Sequence, residues 1–128
     1  MKSILLVDDQ AHVLRVVKLS LDRNGFEVDT ALGGNIALQM MLERPYDVVI
    51  TASDMPSMTG RQLCESIQRD FSEALPLVFV LVNDDTDQEA LWSNSMQMTE
   101  LVEKPMSLRW LVARLNEYFG HYDRVSNG

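Results

Sequence analysis

Short apolar runs alternate with amphipathic stretches five times along this chain, and βα units around a parallel sheet satisfy that alternation. Ile4–Val7 is an unbroken apolar run within a first strand, Ser3–Val7, as expected when helices cover both faces of a strand. The run stops at Asp8. From Ala11 the residues Val13, Val16, Val17 and Leu21 recur at helical spacing, and Asn24-Gly25 supplies a C-cap. Phe26–Thr30 is short and partly polar, which suits an edge strand. Asn35–Glu43 is read as a second helix with Ile36, Leu38, Met41 and Leu42 available for its buried face, and Pro45 ends it.

Asp47–Thr51 is a central strand built on Val48-Val49-Ile50. A loop, Ala52–Gly60, leads to a third helix from Arg61 to about Asp70 that presents Leu63 and Ile67, with Phe71 after its end. Leu77–Val82 is the most apolar strand. The turn Asn83-Asp84-Asp85-Thr86 follows, with Thr86 capping a fourth helix through Leu91 and Trp92. Leu101–Glu103 is a brief fifth strand, and Ser107 caps a last helix, Leu108–Phe119, with Leu108, Leu111, Val112 and Leu115 inward. The expected fold is α/β, a doubly wound five-stranded parallel sheet in a three-layer sandwich, formed by residues 1–120 as one domain. Residues 121–128 read as a polar tail or a linker stump.

A ligand site on such a sheet lies outside the carboxyl ends of the strands. Asp8, Asp9, Ala52, Ser53, Asp54 and Lys104 fall there. A net charge of -8 with no basic patch opposes nucleic acid and anionic membranes as partners. The longest apolar stretch, Leu75–Val82, contains Pro76 and is too short to cross a bilayer. No secretory signal precedes Ile4, and a lone cysteine, Cys64, forms no internal disulfide, so a cytoplasmic setting is expected. Cys64 is read as a half-buried helix residue rather than a nucleophile, since no histidine lies near it in sequence.

The Asp8-Asp9 pair, the loop Met55-Pro56-Ser57-Met58-Thr59-Gly60 and Lys104-Pro105, in that order, together resemble the response-regulator receiver domains of two-component signalling. The resemblance runs from Ile4 to Phe119 and implies a flavodoxin-like (βα)5 fold. It further implies a magnesium ion (Mg2+) held by the acidic pair and an acceptor aspartate, and phosphoryl transfer to that aspartate from a histidine kinase. Counted back from Met55 or forward from Asp47, the family's acceptor position is Ala52. A methyl group neither attacks phosphorus nor ligates a cation. The family's hydroxyl at the end of strand four corresponds to Leu81, or to Val82 if the register slips by one, and neither side chain donates a hydrogen bond. The switch aromatic of strand five corresponds to Leu101.

By the resemblance Asp8 and Asp9 are metal ligands; on their own chemistry they equally cap the first helix and pair with Lys104. Asp54 corresponds to a position that lends the metal a backbone carbonyl, and otherwise reads as a solvent-facing loop residue. Lys104 contacts the phosphoryl group in the family and here reads as a structural ion pair, with Pro105 as a candidate cis bond that aims it. Met55, Met58, Met96, Met98 and Met106 read mainly as core filling. Of Trp92 and Trp110, on or beside the two last helices, one is expected in the core. His12 and His121 have no second ligand at metal spacing.

Three readings compete. The first is a binding module: a degenerate receiver, not an enzyme and without catalytic residues, that works by phosphorylation-independent interaction or dimerisation. Its partners would be a histidine kinase, an effector domain, a second receiver, or its own copy through the fourth and fifth helices. The second is an active receiver that uses Asp54 as a displaced acceptor with Mg2+. The third, a flavodoxin-like cofactor binder, lacks a Gly-rich phosphate loop after strand one, where Asp8-Asp9 would repel phosphate. Simultaneous loss of acceptor, hydroxyl and aromatic favours natural degeneration over one replaced residue.

Overall fold

The computed structural model describes residues 2–82, 92–93, 96–103 and 107–127, without the side chains of Glu103 and residues 121–127. The strands β1 (Ser3–Val7), β2 (Glu27–Ala31), β3 (Val48–Ala52), β4 (Leu77–Val82) and β5 (Thr99–Glu103) form one parallel sheet in the order β2-β1-β3-β4-β5. The described helices are α1 (Ala11–Arg23), α2 (Gly34–Glu43), α3 (Gly60–Asp70) and α4 (Leu108–Asn127). Most of the helix expected after Thr86 lies outside the described residues; Trp92 and Ser93 are described and helical.

Strand alternation divides the core in two. On one side Ile4, Leu6, Ile50 and Phe79 pack against Leu14 and Leu21 of α1 and Leu111, Leu115 and Phe119 of α4. On the other, Leu5, Val7, Val49 and Val80 pack against Ala37 and Met41 of α2 and Leu63, Cys64 and Ile67 of α3. The result is the expected three-layer α/β sandwich. β2 is an edge strand, as its polarity suggested, and its acidic residues are held: Arg44 bridges Glu27 at 2.7 Å and Asp29 at 3.4 Å. The buried Tyr46 hydroxyl donates to Asp29 at 2.6 Å.

Several expectations from periodicity require correction. Val16 is 58% exposed, because it sits roughly 200° around α1 from the buried Leu14. Ile36 and Leu42, expected inward, are exposed; α2 buries Gly34, Ala37 and Met41 instead. That helix is apolar nearly all round, so spacing alone could not select its inner face. α4 continues through Gly120 to Asn127 where a tail was expected, since no proline or cap interrupts it. β5 begins at Thr99, earlier than its apolar core, because an edge strand tolerates polar residues.

Candidate functional site

The strand order reverses at β1, between β2 and β3, and the crevice beyond these carboxyl ends is where the fold places a site. At the end of β1 the chain turns through Asp8 and Asp9 into α1. The Asp8 backbone N–H donates to the Ala31 carbonyl at 3.1 Å, and its carboxylate Oδ1 accepts the Gln10 N–H at 3.0 Å. Asp8 is buried, and its carboxylate holds the turn before α1, whose N-cap is Gln10 and has no side-chain cap hydrogen bond. Asp9 is exposed.

The ends of β3 and β4 are apolar. Ala52 and Leu81 are buried and stand as Cα partners in the parallel register, which identifies Leu81, not Val82, as the residue level with Ala52. Leu101 lies one row back, paired with Val80, and packs into the α2–α3 side of the core, away from Leu81 in the opposite cluster. Asp8 and Leu81 share a crevice under α1 with Leu6, Leu14, Val17 and Ile50, about 20 Å³ in volume, room for a single water. Asp54 is exposed and lines a separate shallow depression with Met55, Pro56 and Thr59. Lys104 and Pro105 lie outside the described residues, as does Met106.

The loop after β3 is closed by its backbone. Ser53 N–H donates to the Leu81 carbonyl at 3.0 Å, and Gly60 N–H donates to the Ser53 carbonyl at 2.8 Å. The Thr51 hydroxyl, wholly buried, donates to the Ala52 carbonyl at 3.0 Å. Thr59 and Gln62 form a reciprocal capping box that starts α3. Gly60 is needed for contact rather than conformation: a Cβ there would stand 2.6 Å from the Ala52 carbonyl oxygen and 3.0 Å from Ser53 Cα. A Cβ on Gly34 would meet Met58 Sδ at 2.5 Å, so the loop also rests on the first turn of α2. The capping box went unread in the sequence, where the Thr-Gly-x-Gln spacing is its signal; the close approaches of Gly60 and Gly34 had no sequence signal.

Magnesium requires several hard oxygen ligands in near-octahedral geometry. Among the described residues no three His, Cys, Asp or Glu side chains are grouped to hold a cation. Asp8 is engaged with a backbone amide, Ala52 offers no oxygen from its side chain, and Asp54 lines a different depression. These residues do not fit a three-carboxylate site.

The remaining candidates sort by burial. Cys64 is fully buried rather than half-buried, and burial pushes its thiol up to about 12, which silences it as a nucleophile. Trp92 is core and Trp110 is exposed. Met55 is buried, Met58 and Met96 pack against the core, and Met98 is exposed with a backbone φ of 59°. His12 is exposed on α1, and the His121 side chain is not described.

A five-stranded parallel sheet in the order 2-1-3-4-5, with acidic residues after β1 and a glycine-closed loop after β3, defines a flavodoxin-like α/β module. The family described as response regulator receiver domain matches residues 4–116, and the chain belongs to it. Over 112 residues the chain is 28% identical to the nisin biosynthesis regulatory protein NisR of Lactococcus lactis, covering 88% of this chain and 48% of that protein. It is 26% identical to the response regulator ArlR of Staphylococcus aureus, covering 90% and 51%. The chain thus spans about half the length of these curated relatives. The structure of chemotaxis protein CheY4 of Vibrio cholerae superposes with a TM-score of 0.84 at 25% identity, covering 91% of this chain and 98% of that one. A receiver domain from Clostridium thermocellum gives 0.83 at 25% identity, covering 98% and 99%.

The chain is therefore a response regulator receiver domain of the two-component type, a class that interacts with histidine kinases and effector domains and generally binds Mg2+ in an acidic pocket. No helix among the described residues is long and apolar enough to cross a membrane.

Proposed function

We propose that this receiver domain transmits its signal by binding rather than by aspartyl phosphorylation, as an interaction or dimerisation module whose occupancy does not depend on a phosphodonor. The observation that carries this reading is the pairing of Ala52 with Leu81. Both residues are buried and apolar, level in the backbone register although in different core clusters, at the two positions where the family's chemistry needs an acceptor carboxylate and a hydroxyl. Phosphoryl transfer depends on placed oxygens and charge stabilisation, and a methyl and an isobutyl group supply neither. Asp54 is a poor substitute as acceptor, because it lines a shallow depression with Met55, Pro56 and Thr59 while Asp8 lies in the crevice under α1. Magnesium affinity falls with the missing carboxylate, so Mg2+ binding is weak or lost. The protein works in the cytoplasm beside its kinase or effector, without nucleic-acid contacts of its own, as its charge of -8 suggests.

Adding beryllofluoride with millimolar Mg2+ to the labelled protein and following backbone amide shifts tests this reading. No saturable shift is expected at residues 52–60 or at Leu81 and Val82. A saturable, stoichiometric change centred on Asp54 would replace it with the displaced-acceptor mechanism.

A further inference from the structure

Sulfur is unevenly distributed in this core. Met40, Met41, Met55, Met58, Met96 and Cys64 all lie in or against the cluster on the α2–α3 side of the sheet, and the cluster on the α1–α4 side holds no described methionine or cysteine. Burial sorts these groups by what a small oxidant in solution reaches. Met41 and Met55 are buried, and so is Cys64, whose thiol stays protonated. Met98 is 41% exposed but lies outside the cluster, on the turn before β5. Met40, Met58 and Met96 are half-buried against the cluster, and of the three only Met58 belongs to the loop after β3. Its neighbours Ser57 and Thr59 are exposed, so solvent reaches the side chain from the loop.

The contact of Met58 with α2 is made by the sulfur itself. A Cβ on Gly34 would stand 2.5 Å from Met58 Sδ, 3.0 Å from its Cγ and 3.1 Å from its Cβ, so the side chain lies along this buried glycine with the thioether nearest. The loop is pinned at its ends, where Ser53 N–H donates to the Leu81 carbonyl and Gly60 N–H to the Ser53 carbonyl. Between those pins, Met58 seats it on the first turn of α2.

Hydrogen peroxide takes two electrons from a thioether. The sulfur lone pair attacks one peroxide oxygen, an S–O bond forms as the O–O bond breaks, and the departing hydroxide removes the proton of the transferred oxygen and leaves as water. The sulfoxide then carries a polar oxygen on the atom that touches Gly34. A buried oxygen of this kind is costly without a hydrogen-bond donor, and the cluster beneath Met58 is apolar. Gly34 leaves no volume beside the sulfur to take it.

The geometry points to Met58 as an oxidation site that controls the loop after β3: the thioether seats the loop on Gly34 of α2, and the sulfoxide formed by hydrogen peroxide releases it between its pinned ends. The change is reversible, because reductases return methionine sulfoxide to the thioether. It depends on packing alone and holds whether or not position 52 takes phosphate.

A timed exposure of the chain to hydrogen peroxide, followed by peptide-mapping mass spectrometry and amide spectra of the labelled protein, tests the inference. Met98 and Met58 are each expected to gain one oxygen, Met58 about tenfold faster than the buried Met55. In a Met98→Leu background, oxidation is expected to move the amides of Gly34 and of Ser57 to Thr59, and a methionine sulfoxide reductase to restore them. Met58→Leu, a swap that conserves volume, is expected to leave those amides unmoved under the same treatment. Gly34→Ala gives an independent check, since its methyl displaces the Met58 thioether while the helical backbone at position 34 accepts alanine. Met58 is expected to oxidise severalfold faster in that variant. Oxidation of Met58 no faster than Met55, or at a rate unchanged by Gly34→Ala, overturns the inference. So does an oxidised chain whose loop amides exchange more slowly than before, because the sulfoxide oxygen would then be capping the amides that Gly33 leaves without a side-chain partner.

Discussion

The carboxyl ends of β1 and of β3 with β4 lie next to each other in one sheet, yet their chemistry is opposite. At β1 the polar group is retained and occupied: Asp8 is buried with its carboxylate on the Gln10 amide. At β3 and β4 the backbone is held as firmly, through Ser53, Leu81 and Gly60, but the side chains are a methyl and an isobutyl group. The difference separates two roles that receivers usually combine at one place. The backbone frame of the site persists for reasons of folding, because Asp8 holds the Gln10 amide in the turn before α1 and Gly60 closes the loop. The oxygens that do chemistry carry no such folding duty, and they are the ones absent here.

The largest effect that can break this comparison is expected from Gly60→Ala. The added Cβ meets main-chain atoms of Ala52 and Ser53, which cannot swing aside as a flexible side chain would. A loss of about 3 kcal/mol by chemical denaturation is expected, typical of overpacking against a backbone. A loss under about 0.5 kcal/mol would mean that the loop after β3 is not a fixed frame.

Ala52→Asp sharpens the comparison from the other side. A carboxylate placed at the buried position 52 must leave water, so a cost of roughly 2 kcal/mol at neutral pH is expected. Magnesium at millimolar concentration is expected to return part of that cost in the variant and to leave the unmodified chain unchanged. Equal stabilisation of both proteins would show that Asp8 and Asp9 suffice as a metal site without position 52.

How much of this was legible in the sequence differs between the two regions. The ends of β1 and β4 were readable to the residue, because an unbroken apolar run bounded by a polar turn has one interpretation in a doubly wound sheet. The faces of the helices were less so. Val16, Ile36 and Leu42 fit an apolar periodicity yet face solvent, since a helix with hydrophobic residues on several sides leaves the choice to tertiary packing. At the site, Ala52 was placed by counting along a motif, but its Cα pairing with Leu81 and the separation of Leu101 from Leu81 onto opposite sides of the sheet required the register. The contact that makes Gly60 indispensable joins residues eight apart through space, and no local pattern encodes it.

The smallest expected effect probes how dry the core is behind Ala52. Cys64 and Tyr46 belong to the same apolar cluster as Ala52. Burial raises the Cys64 thiol to about 12, and burial together with the hydrogen bond to Asp29 raises the Tyr46 phenol to about 12. Both groups hold their protons longer when folded than when unfolded, so stability is present below pH 9 and declines as pH rises from 9 toward 12. A loss of about 1 kcal/mol between pH 8 and 10 is expected from denaturation curves, with the Cys64→Ala variant showing a shallower decline. An equally steep decline in that variant would place the titration elsewhere and argue for a wetter core on this side of the sheet.

The claim that this receiver has kept its frame and lost its phosphoryl chemistry is tested most directly by intact-mass spectrometry after incubation with acetyl phosphate and Mg2+. The expected spectrum shows the unmodified mass alone, while Ala52→Asp combined with Leu81→Thr gains one phosphoryl group. A hydroxylamine-sensitive phosphoryl adduct on the unmodified chain, at one per molecule, would contradict it.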